Sequence, residues 1–173
     1  MTDDLLANGL RERVAVYLAE HFTMSVATVD ATPGGMPHAV SVFYVVDGTF
    51  NLVFLSKTTS QHAVHIEQWN TQQPSQKEQD APVAVTVTES YNDWERIQGI
   101  QLWGRAHLLS GLARSKALAL YVAKFPFVRD MIKQPKLAAL IAGIGVYKIV
   151  PERIAFTDNT TGMFGREILD LTI

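Results

Sequence analysis

Residues 37–66, PHAVSVFYVVDGTFNLVFLSKTTSQHAVHI, hold two runs of β-forming residues, Ala39 to Val46 and Phe50 to Leu55, joined at Asp47-Gly48. An Asp-Gly pair between such runs is the strongest short hairpin signal. The second run leads straight into Ser56-Lys57-Thr58-Thr59-Ser60-Gln61-His62, and Thr59 to Trp69 suits one short helix capped by Thr58, Thr59 or Ser60. A sheet edge that delivers hydroxyls, one ammonium and free backbone N–H groups to a helix N-terminus is a good seat for a phosphate. It is also the composition of an ordinary capped turn, since turns are intrinsically rich in Ser and Thr.

Outward from this stretch, the chain alternates strands and helices. Leu10, Val14, Tyr17, Leu18 and Phe22 recur at helical spacing opposite Arg11, Glu12, Arg13 and Glu20, which predicts an amphipathic first helix. Thr23 to Val29 alternates as a strand, and Pro33-Gly34-Gly35 ends it. Asn70 to Asp80 contains no apolar residue and reads as an exposed, mobile loop. Pro82 to Thr88 and Ile97 to Leu109 are further strands, with Gly99 and Gly104 marking a bulge or a close approach. Leu112 to Phe125 is helical up to Pro126, and Phe127 to Ala142 continues as helix with a break forced by Pro135. Gly143 to Asp158 reads as two short strands around Pro151, and Arg166 to Leu171 as a last edge strand. Six or seven short strands with short connections predict an α+β protein, mainly β: a small antiparallel split or closed barrel with helices at its ends, one domain over residues 1–173.

Bulk composition narrows the function classes. Charged residues make up only 18% of the chain, which predicts that part of its surface is covered by a second copy, most simply in a symmetric dimer. A formal charge of −2 gives no electrostatic case for nucleic acid or an anionic membrane. Cysteine is absent, which excludes disulfides, thiolate nucleophiles and Cys-ligated metal centres. The N-terminal residues lack the apolar core of a signal peptide, and no apolar run approaches the roughly 18 residues of a bilayer span, so the expected location is cytoplasmic.

Few side chains stand out for chemistry. His62 and His65 are three apart on one predicted helix, a spacing compatible with metal ligation, but no third ligand accompanies them and no metal is expected. His38 has no carboxylate partner nearby in sequence. Gly99, Gln101 and Trp103 share one strand face, which suits a planar polar ring; the alternative is a tryptophan plugging the barrel core. The tract Thr157 to Gly162 is dense in turn formers and is either a tight turn or a set of donors for a ligand. With no nucleophile elbow and no acid pair, any catalysis should belong to a cofactor.

In this order the segments SVATVD, PHAVSVFYVVDG, LVFLSKTTSQHAVHI, IQGIQLWGRA, KFPFV and FTDNTTGMFGRE resemble the pyridoxamine 5′-phosphate oxidase-like, flavin-binding split-barrel superfamily, closest to a small bacterial branch of it. The resemblance covers nearly the whole chain. It implies a homodimer with FMN at the subunit interface and an oxidoreductase acting on a small molecule. The flavin phosphate would lie on Ser56, Lys57, Thr58, Ser60, Gln61 and His62. The ring system would run along His38, Ala39, Val40, Ser41 and Val42, with Gln101 and Trp103 of the second copy on its other side. Many flavin-binding members carry a basic pair where this chain has Gln61-His62, so fixed positive charge is missing here. The segments that grip pyridoxal phosphate are not present, and pyridoxamine oxidation is not assigned. The alternatives are a haem or flavin carrier without turnover and a deazaflavin-dependent reductase.

Overall fold

The computed structural model describes residues 2–72, 80–134, 136–137, 143–162 and 165–172. Helix α1 (Thr2–Glu20) precedes β1 (Thr23–Val29), β2 (Pro37–Val46) and β3 (Leu52–Lys57), and α2 (Gln61–Gln72) follows the turn after β3. Then come β4 (Ala81–Thr88), β5 (Gln98–Leu108), α3 (Gly111–Lys124), α4 (Pro126–Ile132), β6 (Ile144–Asp158) and β7 (Arg166–Asp170). Every strand pairing is antiparallel. The order β3-β2-β1-β4-β5-β6 closes through a β3–β6 pairing into a six-stranded barrel, and β7 adds a seventh strand to β6. This is an α+β split barrel, as the strand count predicted. No helix among the described residues is long and apolar enough to cross a membrane.

Period-2 patterning puts one face of each strand into the barrel. Met24, Val26, Val83, Val85, Ile100 and Leu102 are buried there with Tyr44, Phe54, Tyr147 and Ile154. Burial of side chains of this size contributes about 1.5–3 kcal/mol each before entropy is subtracted. Helix α1 adds Leu10, Val14, Tyr17 and Leu18 to this core, and Tyr44 Oη donates to Leu18 O at 2.7 Å. A second apolar cluster (Val45, Val53 and Val146 with Tyr121, Phe125 and Val128) fixes α3 and α4 against the outside of β2, β3 and β6.

Four sequence readings need correction. Phe22, assigned to the buried face of α1, lies beyond the helix end and is 54% exposed, packed edge-on against Phe125 with the Lys124 ammonium over its ring. The β2–β3 turn is longer than a two-residue Asp-Gly hairpin: the side chain of Asp47 gathers the N–H groups of Thr49 and Asn51, and Phe50 takes the positive φ of 65°. Pro151 does not split residues 143–158 into two strands. Strand β6 runs through it because β5 changes register between Trp103 and Gly104. A Cβ on Gly104 would collide with Val150 O and Pro151 Cα, so glycine is what lets the strands close over the proline. Residues 70–72, read as loop, extend α2. The rest of that loop (73–79) and the expected break at Pro135 lie outside the described residues.

Candidate functional site

Strand β3 leaves the barrel wall at Ser56 and Lys57, opposite Gly145 and Ile144 of β6. The chain then turns: Ser60 N and Ser60 Oγ both donate to Lys57 O, at 3.0 and 2.8 Å. Val64 N donates to Ser60 O at 2.9 Å and starts α2. The first-turn amides of Gln61, His62 and Ala63 have no backbone or side-chain acceptor among the described residues, so the positive end of the helix dipole faces the turn unpaired.

Side chains from five elements meet behind this helix end. Ser56 Oγ lies 2.6 Å from His62 Nε2 and 2.8 Å from Ser60 Oγ, which is itself 3.1 Å from His62 Nε2. His65 is held on both ring nitrogens, by Thr28 Oγ1 of β1 at 3.1 Å and by Gln61 Nε2 at 2.7 Å. His38 of β2 stands 6.1 Å from each of His62 and His65, centroid to centroid, parallel to the first ring and perpendicular to the second. Phe54 and Tyr147 stack at 5.2 Å, and Phe54 lies 6.2 Å from the His62 ring. Gly145, opposite Ser56, admits the Tyr147 ring, which would be only 2.6 Å from a Cβ there. Tyr147 Oη donates to Glu67 Oε1 at 2.7 Å, and burial, then Glu67, push its phenol pKa up.

The electrostatics follow from this packing. His62 is buried, and its pKa falls below the ordinary value because burial disfavours the imidazolium, with smaller contributions from His38 and His65. Lys57 is exposed at the mouth of the turn. A cleft of about 460 Å³, lined by Asp30, Met36, His38, Gln61 and His65 among others, opens beside the cluster between the β1–β2 turn and α2. Asp30 is held ionised by the backbone N–H and hydroxyl of Thr32, which lower its pKa.

The predicted residues fall into three groups. Ser56, Ser60 and His62 form one hydrogen-bonded cluster, with Lys57, Thr58 and Gln61 exposed around it. In β2, pleating separates the expected contact strand: Ala39 and Ser41 face outward, whereas His38, Val40 and Val42 are half-buried, the two valines against the main core. Gln101 and Trp103 face outward on β5, with β1 and β4 lying between β5 and β2, so a single chain does not bring them to the cluster. Trp103 is 39% exposed with Arg153 over its ring, which rules out the core-plug reading. Gln101 Oε1 accepts from Arg166.

The cross-strand rows Ser41–Ser25–Thr86–Gln101 and Ala39–Ala27–Ala84–Trp103 make an uncharged outer sheet face. The tract Thr157 to Gly162 is a tight turn whose donors point inward, Thr160 to the Asp158 carboxylate and Asn159 Nδ2 to Trp94 O. Thr28, Asp30 and Tyr147 were not singled out in the sequence: Thr28 and Tyr147 act through partners 37 and 80 residues away, and Asp30 is held by Thr32, two residues on, in a local turn.

The closed barrel with its helix-capped polar turn places the chain in the split-barrel fold class. No family model matches it. A UPF0306 protein of Klebsiella pneumoniae is 36% identical over 90 residues, which is 52% of this chain and 53% of that protein; the match spans about half the length of the curated relative. Among solved structures, a conserved hypothetical protein of Mycobacterium tuberculosis superposes with a TM-score of 0.67 at 18% identity, over 94% of this chain and 93% of that one. HutZ, the haem storage protein of Vibrio cholerae, gives a TM-score of 0.60 at 16% identity, over 82% and 89%. At such identities these structures share the fold.

Proposed function

We propose that the protein is an FMN-binding homodimer of the pyridoxamine 5′-phosphate oxidase-like superfamily that acts as an oxidoreductase on a small molecule. One observation carries the reading: three α2 amides without an acceptor among the described residues, the Ser56 hydroxyl and the Lys57 side chain belong to one turn, which the Ser60 hydroxyl closes on Lys57 O. That set matches what a phosphate monoester needs, which is several N–H and O–H donors and one cation. The ring system lies along residues 38–42, where Ala39 and Ser41 offer a flat outer surface beside β1. Gln101 and Trp103 of a second copy cover it from the other side, and the uncharged outer face of β2-β1-β4-β5 is the surface on which the copies meet. The flavin supplies the redox chemistry; the chain holds the phosphate, orients the ring and excludes water from it.

Haem binding is the second reading. It draws on His38 and His65, which line one cleft with His62 buried beside them, and on the similarity to the haem storage protein HutZ. Absorption spectra of the purified protein, alone and titrated with each cofactor, decide between them. The flavin reading expects the two visible bands of a bound flavin, saturating at one FMN per chain, in a species of twice the chain mass. A single intense Soret band with no flavin saturation would replace it with the haem reading. Fluorescence gained only with a deazaflavin would point to a deazaflavin-dependent reductase instead.

A further inference from the structure

We propose that this seat takes up a proton when it binds a phosphate monoester, with His62 as the acceptor, so that phosphate affinity rises as pH falls. This coupling rests on the phosphate seat proposed above.

A phosphate monoester carries about −1.5 to −2 charges near neutral pH, and the cationic groups at the seat do not balance that. Lys57 is the fixed cation exposed at the turn. Arg114 of α3, on the far side of β6, donates to Ile144 O. The other ionisable groups packed against His62 add no fixed positive charge. Glu67 of α2 is hydrogen-bonded to Tyr147 of β6; Asp30, after β1, is ionised at the edge of the cleft; His38 and His65 flank the ring. A dianion placed on the α2 amides therefore meets a site short of positive charge, and the nearest group able to acquire one is His62.

The hydroxyl network carries that charge to the ligand. A hydroxyl owns one hydrogen. Ser60 spends its hydrogen on Lys57 O, and Ser56 sits 2.6 Å from His62 Nε2. In the imidazolium both ring nitrogens carry hydrogen, so Nε2 donates to Ser56 Oγ whichever neutral tautomer preceded it. Ser56 then turns its own hydrogen away from the ring, to Ser60 Oγ at 2.8 Å or, with ligand present, to the anion. Protonation thus adds a charge and, where the neutral ring had accepted from Ser56, releases that hydrogen for the seat. In the free protein, burial and the neighbouring histidines hold His62 neutral at pH 7; a bound dianion reverses that balance.

The sign of the coupling is fixed. His62 has a higher pKa with ligand than without, so affinity is greatest below the free-state value and declines as pH rises through the bound-state value. The slope approaches at most about tenfold in Kd per pH unit, the limit for one proton. FMN and riboflavin, which differ by the phosphate, are titrated into the intact protein from about pH 6.5 to 8.5, above the second pKa of the phosphate itself. Calorimetry near pH 7.5 in two buffers of different ionisation enthalpy counts the protons. The expected result is a several-fold loss of FMN affinity per pH unit, net proton uptake on FMN binding, and neither effect with riboflavin. The substitution His62→Gln should flatten the FMN curve and abolish the uptake. Wild-type FMN affinity independent of pH, or a slope that survives in His62→Gln, would overturn the coupling while leaving the phosphate seat in place. FMN that fails to bind at pH 6.5 would remove the seat and the coupling together. Should His62→Gln not fold, the FMN-minus-riboflavin proton count on the wild-type protein decides alone.

Discussion

Strand β3 is bounded by two polar turns of similar length that satisfy their hydrogen bonds in opposite ways. In the turn before it, one carboxylate takes everything: Asp47 Oδ1 accepts from Thr49 N, Thr49 Oγ1 and Asn51 N, and Oδ2 from Asn51 Nδ2, all between 2.8 and 3.0 Å. Its charge is permanent and fully engaged within the turn. In the turn after β3 the backbone carbonyl of Lys57, a histidine and two hydroxyls share the local bonds, and three backbone donors are left over among the described residues. Polar composition does not distinguish the two in sequence. What separates a closed turn from the proposed seat is whether the local donors are consumed.

That contrast is broken or sharpened by four measurements. The largest effect is expected from Lys57→Ala with Ser60→Ala, which removes an ammonium and a hydroxyl from the open turn. At about 1.5–3 kcal/mol for the Lys57 hydrogen bond to a charged group, with loss of the Ser60 bond that shapes the turn added, FMN affinity should fall by about tenfold or more, as read by fluorescence titration. An unchanged Kd would dissolve the distinction between the turns. Next, Asp47→Ala should cost about 1.5–3 kcal/mol of stability, by the same measure of charge-assisted bonds, in urea unfolding. FMN affinity should stay unchanged; a loss of both would show that the two turns are coupled.

The third measurement uses pH. Burial pushes the Asp47 pKa up, but the bonds from Asn51 and Thr49 together outweigh it and leave the pKa below its usual 3.8. A carboxylate depressed in the folded state stabilises above its unfolded pKa and loses that contribution as pH falls through the folded one. The stability gap between wild type and Asp47→Asn should therefore narrow below about pH 4; a gap constant down to acid unfolding would contradict this account. The smallest effect is expected from Trp103→Ala, which should change monomer stability by less than about 1 kcal/mol because the ring is exposed. Its signature would be a weaker dimer by sedimentation, and loss of the fold would return the tryptophan to the core.

Most of the barrel was legible in the sequence because each strand carries its own period-2 record and its own boundary residues. Thr23 to Val29 was bounded to the residue, and Ser56 to His62 was read as a polar turn, whose composition by itself favoured an ordinary helix cap. Pro151 was misread because a proline in a strand depends on its neighbour, and the glycine that accommodates it stands 47 positions earlier, at Gly104. Phe22 followed the helical period but lies two residues past the end of α1, in the short connection to β1. The Ser–His hydrogen bonds are local but depend on how the turn folds, whereas the Thr28–His65 contact and the Tyr147 wall are products of closure, and no short window along the chain holds both partners of either.

The long strand β6 has a consequence for how the barrel closes. Its first half, up to Ile149, seals the barrel against β3, whereas from Arg153 onward that edge is stitched to β7. The handover at Pro151 divides labour along one strand: the half behind Ser56 and Lys57 closes the barrel, and the half from Arg153 onward exchanges β3 for β7 on that edge while its other edge stays paired with β5.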